Sequence, residues 1–337
     1  MPDTARMHRT VRDVPPTLRA ILPVWLVVVG FVVLTMVRSA QVGIPIKDPH
    51  GSVLLIRLAI SLALFAVITT LDVTVRGGRR GWTPGRTLHD LRQLWPARRL
   101  ALALSALLGY HVVYLCYHNL KSWDVFNHPR DGMLLAWDRW LFLGHSPAVL
   151  LHDLLGQHVA AYVLMVIYES FSTLVTVGVV AGVALPERIR DGYAFASSGI
   201  LVWILGVTSY YLIPSLGPFW SAPREFAGLP HTMIQDTQAR YLGQRAHLLA
   251  HPAAADAFAQ VSAFASLHVA VTTFLLLMAI GFKLRRTSVL MALFLAGTLV
   301  ATVYLGWHFV IDDIAGVGIA LASVWIGPRL VRGAAVP

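Results

Sequence analysis

Phe264-Ala-Ser-Leu-His268-Val-Ala-Val-Thr-Thr-Phe-Leu-Leu-Leu-Met-Ala-Ile-Gly-Phe282 is an apolar run with a histidine at its start. Gly306-Trp-His308-Phe-Val-Ile-Asp312-Asp-Ile-Ala-Gly316 opens a second run in the same way. Such runs have the reach of a membrane helix, which needs about 20 apolar residues to cross roughly 30 Å of hydrocarbon. Asp312 follows His308 by four residues, about one helical turn, so its carboxylate can reach back to the imidazole on the same face. A histidine oriented by a carboxylate, with a second histidine at hand, is a constellation for nucleophilic and acid–base chemistry.

Outward from these two stretches, runs of spanning character recur at about 20–37, 53–71, 99–118, 159–184, 193–213, 263–282, 287–305 and 310–330. The chain is 56% hydrophobic and only 13% charged, against about a quarter charged in a soluble domain. Together these predict an all-α polytopic membrane protein with about eight transmembrane helices. A net charge of +10 could suggest nucleic acid, but the basic residues gather in short loops between apolar runs, as membrane orientation requires. No nucleic-acid partner is therefore expected. The single cysteine, Cys116, excludes an internal disulfide and sits in an apolar run as a packing residue. The first run reads as a retained helix rather than a signal peptide, because Arg38 follows its apolar core with no small-x-small cleavage site.

Placing the N-terminus inside makes the loops asymmetric. Inside fall Arg6, Arg9, Arg12 and Arg19, then Arg76, Arg79, Arg80, Arg86, Arg92, Arg98 and Arg99. Arg188, Arg190, Lys283, Arg285, Arg286, Arg329 and Arg332 complete an inside set of eighteen. Outside fall eight: Arg38, Lys47, Lys121, Arg130, Arg139, Arg224, Arg240 and Arg245. Arg57 remains, near the outer end of the second run, where it is expected to snorkel. Both termini are thus expected in the cytoplasm, with His268 and His308 at one depth on the extracytoplasmic side. An odd number of spans between them would have put a bilayer there instead.

Two long outside segments, 119–158 and 214–262, have room for substrate-binding structure. The first holds Asp131-Gly-Met-Leu-Leu-Ala-Trp-Asp138-Arg-Trp-Leu-Phe-Leu-Gly144, a pattern that suits a helix lying in the interface with Trp137 and Trp140 at headgroup level. The second opens with Pro214-Ser-Leu-Gly-Pro218-Phe-Trp220, which cannot continue a helix. Irregular backbone near the membrane needs protein or a wet cavity beside it, so this stretch is expected to form a wall of the site. Asp313 reads as a complement to its helix dipole. Glu169 sits inside the fourth run beside Ser170, Ser172 and Thr173, either as an interhelical hydrogen-bonding group or as a polar wall of the cavity. His247 and His251 have i, i+4 spacing but read as loop histidines, and no metal site is expected. Gly178-Val-Val-Ala-Gly182 reads as a packing face of small residues.

Phe264-Ala-Ser266-Leu-His268 and Gly306-Trp-His308-Phe-Val-Ile-Asp312-Asp-Ile-Ala-Gly316 resemble the second and third signature motifs of the type 2 phosphatidic acid phosphatase superfamily. The likeness is nearest to its aureobasidin-sensitive inositol phosphorylceramide synthase branch. Pro214-Ser-Leu-Gly-Pro-Phe-Trp220 and Trp137-Asp138-Arg139-Trp-Leu-Phe-Leu-Gly144 resemble further segments of that branch. The resemblance covers about 100–330. It implies a six-helix catalytic bundle over 99–332, preceded by a tail, two added helices and a basic loop over 1–98. It further implies His308 as nucleophile, forming a phosphohistidine. Asp312 would orient that ring, and His268 would protonate the leaving oxygen and then activate the acceptor. No cofactor and no metal are implied.

The chain departs from the phosphatase members. They carry a Lys-x6-Arg-Pro motif and an arginine six residues before the nucleophile; no such motif occurs here, and position 302 is Thr. A moving phosphoryl group still needs cations. Lys121, Arg139, Arg224, Arg240 and Arg245 are the candidates, the last three favoured, with Asp138, Ser266 and Glu169 as further substrate-binding residues. The resemblance and this departure point to a multi-pass plasma-membrane phosphotransferase. It would move a head group such as inositol phosphate between lipid-linked donor and acceptor. The alternative is a phosphatase acting on a phospholipid or polyprenyl phosphate. A transporter would spread charged groups through the membrane depth and show matching halves, neither of which the sequence displays. A metal-dependent hydrolase built on His268, His308 and Asp312 ranks below these. Nothing in the sequence sets the oligomeric state.

Overall fold

The computed structural model describes residues 18–77 and 83–331. Arg6, Arg9, Arg12, Arg79, Arg80 and Arg332, used above for orientation, lie outside the described residues. The described chain is helical throughout, without a strand: α1 (Leu18–Val42), α2 (Leu55–Gly77), α3 (Pro84–Leu94), α4 (Ala97–Trp123), α5 (Asp131–Leu141), α6 (Pro147–Leu155), α7 (Val159–Ala184), α8 (Ile189–Leu212), α9 (Pro218–Ser221), α10 (Met233–Ala250), α11 (Leu267–Gly281), α12 (Arg285–Tyr304) and α13 (Val310–Ile326). Among the described residues, seven helices are long and apolar enough to cross a membrane. Large apolar side chains such as Leu26, Val33, Leu71, Val163 and Leu293 stand on their outer surfaces. The protein is an integral membrane protein.

α8 is the hub. It is buried along most of its length and packs against α4, α7, α11 and α13, while α1 lies on α4 and α2 on α7. Two buried pairs tie helices of the bundle together through polar groups that hydrocarbon would leave unpaired: Trp203 Nε1 donates to the Tyr110 hydroxyl at 2.8 Å, and Ser197 Oγ donates to the Gly327 carbonyl at 2.7 Å. The small-residue face of α7 packs as expected, with Gly178 against Leu275 of α11 and Gly182 against Phe195 of α8.

The sixth expected span, 263–282, is the one that differs. Its helix, α11, starts only at Leu267 and has 15 residues, about 22 Å. Residues 263–265 are held outside the helix instead: Ala263 N–H donates to the Ser215 carbonyl, Phe264 N–H to Ser215 Oγ and Ala265 N–H to Ser209 Oγ. A helix enclosed by α7, α8, α12 and α13 meets protein rather than lipid, so it need not match the bilayer thickness. The outer segments also hold more helix than the sequence suggested. α6 and α10 both form there, α10 started by Thr232 and Gln235, whose side chains close a capping box.

α11 and α13 meet at their outer ends at unusually short range. Ser266 N–H donates to the Asp312 carbonyl at 3.0 Å, and a Cβ at Gly316 would lie 2.4 Å from the Ser266 carbonyl oxygen. That backbone contact cannot yield, so Gly316→Ala should separate the helices that carry His268 and Asp312. We expect a loss of about 1–3 kcal/mol, read as a lower melting temperature in detergent. Gly318→Ala is the control, since nothing lies within 4 Å of a Cβ there, and it should melt as the parent does.

Candidate functional site

His308 sits in the break between α12 and α13. Gly306 turns the chain with φ +79°, a value glycine adopts without strain. The N–H groups of Trp307 and His308 both reach the Thr302 carbonyl, at 3.0 and 3.1 Å. α13 starts two residues later, and its opening N–H groups have no intrahelical acceptor. Carboxylates take them. Asp312 Oδ2 accepts from Phe309 N–H at 3.0 Å, Asp138 Oδ2 from Val310 N–H at 2.8 Å, and Asp138 Oδ1 from Ile311 N–H at 3.1 Å. Asp312 Oδ2 also lies 3.4 Å from His308 Nδ1. The i, i+4 spacing thus does place the carboxylate behind the ring, and leaves Nε2 as the nitrogen free to react. The separation is longer than a tight hydrogen bond, as is common at sites without substrate.

His268 is the second residue of α11, whose N-terminus Ser266 caps. Its ring stacks on Tyr168 at 4.2 Å, leans on Phe171 at 4.1 Å and stands 5.9 Å from the His308 ring, centroid to centroid. Trp307 lies parallel to Tyr168 at 5.5 Å. These aromatic faces fix the His268 ring plane without a hydrogen bond. Both imidazoles open on one cavity of about 260 Å³. Burial holds the His308 imidazole down to about 4, against the opposing pull of Asp313 and with Lys121 adding to the decrease. The ring is therefore neutral near neutral pH, the state needed for attack.

The expected substrate-binding residues separate into three groups. Lys121, Glu169 and Arg240 line the cavity. Asp138 and Ser266 do not: both are buried, Asp138 as the cap of α13 and Ser266 between α11 and α13. The Asp138 oxygens accept from Val310 and Ile311 N–H, and Ser266 Oγ accepts from Val269 N–H at 3.5 Å. Arg139, Arg224 and Arg245 also lie off the cavity wall. Arg139 pairs with Glu225 at 3.0 Å, Arg224 is exposed, and Arg245 points its field at Asp124 and Asp131.

Other readings change too. Asp313 does more than complement a dipole: it is buried, with Oδ2 2.8 Å from the Thr302 hydroxyl. The Pro214–Trp220 stretch places only Leu216 on the cavity. Its backbone is gripped elsewhere, with Leu216 and Gly217 N–H donating to Asp131 and Phe219 N–H to the Gly306 carbonyl. His247 and His251 stand on α10 with rings 5.4 Å apart, and His247 Nε2 lies 3.1 Å from Asp256.

The sequence reading missed several cavity residues: Arg57, Tyr114, Tyr117, His118, Tyr168, Trp203, Tyr210, Tyr241 and Trp307. One signal for them existed. Tyr114, Tyr117, His118 and Lys121 are spaced three or four apart, so they form a polar stripe on one face of an otherwise apolar helix.

Asp138 generates a prediction. Each of its oxygens accepts one N–H, so an amide nitrogen cannot replace either without losing a bond. Asp138→Ala should lower stability by about 2–6 kcal/mol in thermal melts, given about 1–3 kcal/mol for each of the two buried donors left unpaired. Asp138→Asn, which keeps one acceptor oxygen, should lose about half of the same stability.

Comparison with curated proteins and with solved structures gave no match. Residues 132–326, running from α5 to the end of α13, match the model of the family described as the PAP2 superfamily. That match covers more than half of the 337 residues and takes in both histidines, Asp312 and Asp138. The chain belongs to the PAP2 superfamily, and with it to the membrane proteins whose activity is of the lipid phosphatase or phosphotransferase type.

Proposed function

We propose that the protein is a lipid phosphotransferase working through a covalent phosphohistidine on His308. The observation that carries this reading is the pair of imidazoles 5.9 Å apart on one cavity, with the Asp312 carboxylate behind only one of them. A single carboxylate partner differentiates the two rings. In the first half-reaction His308 Nε2 forms a bond to phosphorus as the P–O bond to the leaving lipid alcohol breaks. His268 delivers a proton to that departing oxygen. In the second half His268 takes the proton of an acceptor hydroxyl, whose oxygen bonds to phosphorus as the N–P bond breaks. Asp312 stabilises the imidazolium that forms. Lys121 and Arg240, on the cavity wall, offset the charge on the phosphoryl oxygens.

The missing phosphatase arginines favour a transferred head group over simple phosphatidate hydrolysis, with inositol phosphate as the head group that the sequence resemblance implies. The loop charges support a plasma-membrane orientation with both termini cytoplasmic and the site extracytoplasmic. In this reading residues 99–332 are the catalytic domain and 1–98 an addition to it.

Rapid quench with a radiolabelled phospholipid should leave acid-labile, base-stable label on His308, absent from His308→Gln. Turnover without label would overturn the covalent mechanism. His268→Gln should lower turnover by about 10²–10⁴, the range for a lost general acid–base. Release of a new lipid rather than inorganic phosphate, when acceptor lipids are supplied, identifies the transferase; phosphate alone identifies the phosphatase.

The imidazole of His308 sits near 4 because burial disfavours its charge, so the neutral nucleophile persists as pH falls. The acid limb of kcat/KM assigned to His308 should therefore lie near pH 4, not at the usual histidine value of about 6.5. Full activity is expected in the presence of a chelator. Activity lost to chelation and restored by a divalent cation would contradict the metal-independent chemistry.

A further inference from the structure

Arg57 is the third residue of α2, and α2 lies outside the segment that matches the superfamily. Its place there needs a reason. The first turn of a helix carries positive charge from its free N–H groups, so a cation is disfavoured at that end. A cation in a membrane helix is also costly unless it is paired or reaches water. Yet Arg57 makes no hydrogen bond or ion pair to protein among the described residues. Its guanidinium instead lies over the Tyr114 ring, 5.0 Å from the centroid, on the wall of the cavity that holds His268 and His308.

Two further cations repeat this arrangement. Lys121 of α4 stands over Tyr210 at 5.7 Å, again with no hydrogen bond or ion pair among the described residues. Arg240 of α10 lies over Tyr241 at 5.5 Å and donates a hydrogen bond to Thr237 Oγ1 at 3.3 Å. All three line the same cavity, where Glu169 is the one carboxylate. An aromatic face steadies a cation and fixes its direction but does not neutralise it. Three cations held in this way around two imidazoles leave their charge available to an anion from outside the protein.

We propose that Arg57, Lys121 and Arg240 together form the seat for the phosphate group of the substrate, and that α2 is therefore part of the active site. This deepens the phosphotransferase reading and rests on it. The seat supplies from three separate helices the cations that the phosphatase motifs would have supplied. The ligand chemistry is a tetrahedral phosphate oxyanion, whether free or borne by a lipid. Arg57 is the member that distinguishes the seat from ordinary snorkelling. A snorkelling cation is replaced well by lysine, whereas a guanidinium gripping two phosphate oxygens is not.

The test uses the full-length chain in detergent micelles on a His308→Asn background, where no turnover can occur. Binding of inorganic phosphate and of dioctanoyl phosphatidate is measured by calorimetry for this parent and for added Arg57→Gln, Arg57→Lys and Arg92→Gln. Arg92 is exposed on α3, away from the cavity, and its variant should bind as the parent does. Arg57→Gln should weaken both probes about tenfold or more, the scale of a lost charge-assisted contact, and Arg57→Lys should weaken them several-fold. Unchanged affinity in Arg57→Gln for both probes overturns the seat. So does weakening for phosphatidate alone, which would place Arg57 against the lipid body, and so does a parent that binds neither probe at millimolar concentration. Melting temperatures within a few degrees of the parent show that the variants fold. Labelling of His308 in the otherwise native chain reads the covalent mechanism separately, so the seat can fail while the phosphohistidine stands.

Discussion

The break between α12 and α13 presents backbone N–H groups where little water is available, and the site is organised around satisfying them. A helix that starts inside protein leaves its first donors without partners, and each left unpaired is costly in a low-dielectric setting. Phe309 turns to Asp312, and Val310 and Ile311 turn to Asp138. Asp138 stands on α5, so that helix is tied to the start of α13 through these two bonds. The backbone carbonyl of Asp312 then accepts from Ser266, which fixes the start of α11 and with it His268. Three elements far apart in the chain are locked by one set of capping bonds. Asp312 both caps its own helix and faces His308, so the carboxylate beside that imidazole is itself held still.

Around this rigid junction the cavity is built from different material. One wall is aromatic, with Tyr168 stacked against both His268 and Trp307. The rest carries cations laid over tyrosine rings. The division suits phosphoryl transfer, in which the protein supplies positioning and charge more than covalent chemistry. The aromatic faces give the imidazoles and cations fixed directions without consuming the lone pairs and protons that a substrate would use.

Much of the junction could be read from the chain alone, for local reasons. The four-residue spacing of His308 and Asp312 suffices to bring them close, although His308 stands before the helix and Asp312 reaches it as the carboxylate that caps the first turn. The helices of the bundle announce themselves by apolar length, and Asp138 was conspicuous as a carboxylate in an interfacial pattern. A carboxylate in that pattern suggests contact with substrate, while in the fold its oxygens accept from N–H groups of α13, a pairing with residues 172 and 173 positions away that no local pattern displays. α11 came out shorter than expected because apolar character extends back to Ala263, whereas the backbone there bonds to Ser215 and Ser209 of a distant segment.

The amino-acid sequence by itself determined the membrane class, the long helices and the nearness of His308 to Asp312, since these follow from composition, apolar length and a four-residue spacing. Only the tertiary structure decided which charges share the cavity. Arg57, Lys121 and Arg240 come from α2, α4 and α10, and no local pattern brings the three together or sets Arg224 and Arg139 apart from them, off the wall. Long side chains on distinct elements meet only after the bundle packs, and the packing around α8, not the spacing of the residues, sets where each one ends.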